Sequence, residues 1–78
     1  MKYRIPVFDK GVDKVYTLET VRFLADQILS LGVGVNFSYI EEKLVFFCDY
    51  VDQARKISFL LNSLGYEAYY FFNEEIKL

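Results

Sequence analysis

Histidine and tryptophan are absent from this chain, cysteine, proline and methionine occur once each, and glycine occurs four times in 78 residues. Without an imidazole, no Ser or Thr has a histidine base, and Cys48 has no partner for a thiolate–imidazolium pair. A single cysteine excludes an internal disulfide. With no histidine, the Cys/His clusters that hold zinc or iron–sulfur groups cannot assemble, so no cofactor or metal is expected. No Asp/Glu spacing resembles a calcium loop, and Gly32-Val33-Gly34 follows a helical pattern instead of linking a strand to a helix N-terminus, so it is not a phosphate loop. The adjacent carboxylate pairs, Glu41-Glu42 and Glu74-Glu75, fall where such groups are normally solvated, and the chain reads as a non-enzyme. No segment approaches the ~20 apolar residues of a membrane span, and Met1 to Pro6 lacks an apolar run of signal-peptide length. The expectation is a cytoplasmic protein without membrane attachment.

What the chain does contain is apolar and aromatic. Hydrophobic residues make up 54% and aromatic residues 19%, with eight Phe and seven Tyr. At this length one domain covering residues 1–78 is expected, and it buries only ~60% of its unfolded surface, so one small core cannot hide every ring. Richness in Tyr, Phe, Ile, Lys and Glu fits an AT-rich genome, such as that of a virus or plasmid. The net charge of −2 and pI near 5.0 argue against a protein whose affinity comes from neutralising phosphates.

Alternation over Tyr3 to Phe8 predicts a first strand, with Pro6 favouring an edge or a bulge because it cannot donate to a ladder. Asp9 to Lys14 reads as a loop around Gly11, after which Val15 and Tyr16 could pair back as a short hairpin. Thr17 or Thr20 caps a helix to about Leu31, its apolar stripe being Leu18, Val21, Leu24, Ala25, Ile28 and Leu31, and Gly32 stops it. Val33 to Ile40 and Leu44 to Cys48 form a hairpin around Glu41-Glu42-Lys43. Asp49 or Asp52 opens a second helix with the stripe Ala54, Ile57, Leu61 and Leu64, which Gly65 ends, and Tyr66 to Phe72 is the last strand. Ser-Leu-Gly closes both helices, at Gly32 and Gly65, so the two halves echo each other. The predicted fold is α+β, a ferredoxin-like βαββαβ two-layer sandwich whose four-stranded antiparallel sheet, order 4-1-3-2, carries both helices on one face.

A period of two sorts the strand residues. With Ile5, Val7, Val35, Phe37, Phe46, Cys48, Ala68, Tyr70 and Phe72 toward the helices, the open face holds Arg4, Pro6, Phe8, Ser38, Ile40, Val45, Phe47, Glu67, Tyr69 and Phe71. Asp9, Glu41, Glu42 and Glu67 gather at one end as an acidic rim. An apolar patch of this kind marks an interaction site unless it is covered. Its occupant is a second copy in a homodimer, another partner, or the tail Asn73 to Leu78. The candidate binding residues are Arg4, Phe8, Val45, Phe47, Tyr69 and Phe71 on the face, with Glu41 and Glu42 on the rim. Phe23 and Phe59 lie off the helix stripes as lone exposed rings, and Cys48 reads as a small buried hydrophobe.

The sheet also invites comparison with RNA-recognition modules, which stack bases on central-strand aromatics. Phe8, Val45 and Phe47 match that arrangement loosely, but the glycine- and basic-rich third strand is absent and Arg4 is the chief cation, so nucleic acid is not an expected partner. Tyr3 to Phe8, Leu24 to Gly32, Asp52 to Arg55 and Leu60 to Ala68 together resemble the repeat of the SPOR family, bacterial septal domains that bind peptidoglycan glycan strands stripped of stem peptides. That resemblance implies the ferredoxin-like fold and a glycan as a partner. Pro6 and Val7 stand where the family usually has a small residue and glycine. The function expected first is a non-catalytic adaptor or inhibitor that binds another protein, with glycan binding as the alternative.

Overall fold

The computed structural model describes residues 2–9, 17–34, 36–41 and 43–72. Its elements are β1 (Tyr3–Asp9), α1 (Leu18–Leu29), β2 (Asn36–Ile40), β3 (Lys43–Cys48), α2 (Val51–Ser63), β4 (Tyr66–Ala68) and β5 (Phe71–Phe72). The predicted Val15-Tyr16 pairing, Val35 and the tail Asn73 to Leu78 lie outside the described residues.

Thr17 caps α1, its hydroxyl oxygen accepting from the Thr20 N–H at 3.2 Å. Val21, Leu24 and Ile28 form the buried stripe. The ends of the predicted stripe do not join it: Leu18 is exposed in the first turn, and Leu31 lies beyond the helix end in the turn. Gly32 at φ +80° and Gly65 at φ +99° take the left-handed conformation that closes a helix at low steric cost. The start of α2 corrects the sequence reading. Neither Asp49 nor Asp52 is its cap: the N-cap is Tyr50, which makes no side-chain capping bond, and Asp52 sits inside the first turn.

The sheet is antiparallel throughout, in the order β2-β3-β1-β4, with β5 also paired to β1. Four strands were predicted and the described residues form five, because the last one is interrupted at Tyr69-Tyr70. The pairings Val7↔Ala68 and Arg4↔Phe71 keep one register, three residues apart on each side, so nothing has been inserted. Pro6 stands opposite the gap. It has no N–H, and the bridges that need one drop out of the ladder. Proline therefore produces neither an edge nor a bulge, since β1 is central, but a break in pairing on one side only.

One cluster forms the core: Ile5, Val7, Leu44, Phe46, Cys48 and Ala68 from the sheet, Val21, Leu24 and Ile28 from α1, Ala54, Ile57 and Leu61 from α2, and Val33. Both helices thus cover the same sheet face. The edge of β4 is closed by α2. Asn62 donates from Nδ2 to the Ala68 carbonyl at 2.8 Å and accepts the Ala68 N–H on Oδ1 at 3.4 Å, while the Ser58 hydroxyl donates to that carbonyl at 2.7 Å. A side-chain amide stands in for a further strand, as exposed sheet edges require.

Three residues expected in the core lie beyond helix cover. Phe37 is 44% exposed on the outer strand β2 and leans on Phe46 with ring centroids 5.9 Å apart. Tyr70 and Phe72 stay largely exposed and meet Tyr3 edge to face at 6.2 and 5.8 Å. Position on the helix-facing side of a strand buries a side chain only where a helix reaches it.

Candidate functional site

The residues on the uncovered face fall into rows fixed by register. The first row crosses β2, β3, β1 and β5, Asn36↔Phe47↔Arg4↔Phe71. The second is Ser38↔Val45↔Pro6, which the unbroken register continues to Tyr69. At the far end come the pairs Ile40↔Lys43 and Phe8↔Glu67. Phe8, Tyr69 and Phe71 are 52%, 54% and 44% exposed, while Val45 and Phe47 in the sheet centre are half-buried by their neighbours.

Arg4 lies with its guanidinium carbon 5.0 Å from the centroid of the Phe71 ring, a cation–π contact between neighbouring strands. Among the described residues it has no carboxylate partner. At the other end the Tyr69 hydroxyl donates to Glu67 Oε2 at 3.2 Å. That bond, together with the carboxylate's charge, raises the Tyr69 phenol above its ordinary value of 10.0. The folded phenol is thus held in its protonated form. The stabilisation is complete below pH ~10 and fades as pH rises through the elevated folded value. In an NMR titration of the tyrosine ring carbons, Tyr69 is expected to ionise above ~10, and Glu67→Gln should bring it back down by removing the charge. A Tyr69 that titrates identically in both proteins would show that the bond is not populated.

The rim is in part as expected. Register places the end of β1, the β2–β3 turn and the start of β4 at one end of the sheet, through Asp9↔Tyr66, Phe8↔Glu67 and Ile40↔Lys43. Glu41 is exposed in the turn at φ +53°, whereas Glu42 and the Asp9 side chain lie outside the described residues. Lys43 belongs to the same end and was not among the predicted residues. It adds a cation to a rim read as purely acidic.

A shallow hollow of about 290 Å³ opens at the other end of the sheet, lined by Gly34, Asn36, Phe47, Tyr50 and their neighbours. The buried Cys48 borders it. Burial pushes its thiol pKa up, a hydrogen bond with the Tyr50 backbone acts against that, and the charge of Asp49 adds to it. A protonated, buried thiol is a poor nucleophile. On the helix side, the Tyr3, Tyr70 and Phe72 rings meet, and Arg55 hydrogen-bonds Tyr70, which raises the guanidinium pKa further. Sequence reasoning missed this cluster because it assigned Tyr70 and Phe72 to the core. Phe23 and Phe59 are exposed, as expected.

Among the described residues, no group of three or more Cys, Asp or Glu side chains is placed to hold a metal ion, and no helix is long and apolar enough to cross a membrane. Comparison with protein-family models, curated proteins and solved structures gives no match.

Proposed function

We propose that this chain is a non-catalytic protein-binding module of adaptor or inhibitor type, built as a ferredoxin-like sandwich and acting through its uncovered sheet face. The observation that carries the reading is the set of exposed rings, Phe8, Tyr69 and Phe71, around half-buried Val45 and Phe47, over which no described element packs. Apolar groups in register on a rigid sheet form a continuous contact surface, and such surfaces on small domains are interaction sites. Arg4 supplies a directional charge inside the patch, and the Glu41 end supplies charge at its border, where it steers encounter more than it adds affinity.

The experiment is photo-crosslinking from single positions in cells that produce the protein. A photoreactive residue at Phe71 is expected to capture a protein partner, whereas one at Phe59, 76% exposed on α2, is not. Crosslinks from Phe59 alone would move the binding surface to the helices and overturn the proposal.

Glycan binding on the same face is a second reading. It draws on the SPOR-like pattern and on the Tyr69–Glu67 pair, an aromatic ring beside a carboxylate acceptor, which is a combination able to stack on a sugar and hydrogen-bond its hydroxyls. Saturable co-sedimentation with cell-wall sacculi stripped of stem peptides would put this reading first.

A further inference from the structure

We infer that the sheet face pairs with the same face of a second copy of this chain, head to tail, so that Arg4 of each copy meets the Phe8–Glu67 end of the other. This rests on the reading of the face as a protein-binding surface and adds the identity and orientation of the partner.

The face carries both halves of an ion pair that it cannot close on itself. Arg4 lies in the first row and, among the described residues, has no carboxylate partner. Glu67 lies in the last row, opposite Phe8 on the adjoining strand. Arg4 and Phe8 are four residues apart along β1, ~13 Å at ~3.3 Å per residue, too far for an intramolecular contact. Between them runs the row Ser38, Val45 and Pro6, which ends on Tyr69; the short side chains of the first three let two sheets approach to the ~10 Å usual for face-to-face packing, with the two Tyr69 rings meeting at its end.

Two-fold axes in the plane between the faces offer two arrangements. An axis along the strands lays like ends together, burying both guanidinium groups with no carboxylate at hand, a heavy desolvation cost. An axis across the strands at Pro6 lays unlike ends together. Arg4 then rests on the partner's Phe8 with the partner's Glu67 one strand away, within reach of its long side chain, and Lys43 covers the partner's Phe47. Symmetry makes each contact twice. A different protein would need to complement only one of these charges, whereas a second copy uses both.

Sedimentation equilibrium of the full chain tests this. Wild type is expected to dimerise in the micromolar range. Arg4→Glu and Glu67→Arg should each weaken self-association by at least about tenfold, since each sets like charges against one another. Mixing the two variants should restore it, because their heterodimer pairs Glu at position 4 with Arg at position 67 and retains the native Arg4–Glu67 contact. Circular dichroism melting of each variant checks that it is folded. A wild type that is monomeric at several hundred micromolar, or a mixture that associates no better than its components, overturns the inference. If crosslinks from Phe71 then still capture a different protein, the binding-face reading stands without it, and if they capture nothing, both fall.

Discussion

Phe46→Ala is expected to leave the domain largely unfolded at 37 °C, because it truncates the largest fully buried side chain among the described residues. Phe46 is fully buried at the sheet centre, paired with Ile5 on β1 and Phe37 on β2, and its ring packs against that of Phe37. Truncating a buried Phe costs about 3–5 kcal/mol through lost transfer energy and the cavity left behind. A chain of this length has only ~4–12 kcal/mol in hand, from ~0.05–0.15 kcal/mol per residue. The expected fall in melting temperature is ~20 °C, read by circular dichroism. A fall of only a few degrees would mean that the helices do not close over β3 as described. The next residue behaves in the opposite way, because Phe47 points to the other side of the same strand.

That contrast shows what the sequence makes legible. Both helices, the hairpin and the sorting of β1 and β3 into two faces follow from periods of 3.6 and 2, which residues such as Val21, Leu24 and Ile28, or Ile5 and Val7, display without ambiguity. Both terminating glycines were legible because a left-handed backbone selects for them. The N-cap of α2 was not. The rule looks for an oxygen-bearing side chain, and here the capping position is Tyr50, preceded by Asp49 and followed two residues later by Asp52, so the signal was displaced by one residue on one side and two on the other. The split of the last strand was hidden for another reason: its cause lies in Pro6, more than sixty positions away in sequence, and becomes visible only once the register is known.

The candidate site was legible where it depends on alternation alone. Arg4, Phe8, Val45, Phe47, Tyr69 and Phe71 share one face because period two puts them there. What alternation cannot supply is distance between strands, so the contact of Arg4 with Phe71 and the place of Lys43 in the rim required the register. Nor can it say how far a helix extends over a sheet. Tyr3, Tyr70 and Phe72 carry a core pattern and form a partly wet cluster instead, and the α2 side chain that meets Tyr70 is the polar Arg55.

Phe47→Glu combined with Tyr69→Glu should abolish association while leaving the fold intact. Neither residue belongs to the buried cluster, and a glutamate at position 47 would stand directly across from Arg4, where opposite charges on paired strands are mildly stabilising. At position 69 the new carboxylate stands two residues from Glu67, an exposed repulsion that solvent screens. The effect on binding is far larger. Central aromatic anchors contribute ~2 kcal/mol or more each, so losing two weakens a complex by about a thousandfold. The glutamate at position 69 also carries a charge into the contact with no cation opposite it, and the one at position 47 draws Arg4 away from the partner. The measurement is the dissociation constant, of the self-associated form or of the captured partner, beside a melting curve that should shift by no more than a few degrees. Added salt separates the face from the rim. Charge attraction at exposed Glu41 is screened over ~8 Å at physiological ionic strength, so a contact made by the rim weakens as salt rises, whereas one made by the rings does not. A complex that survives the double replacement and dissolves in salt would transfer the binding surface from the aromatic rows to the β2–β3 turn.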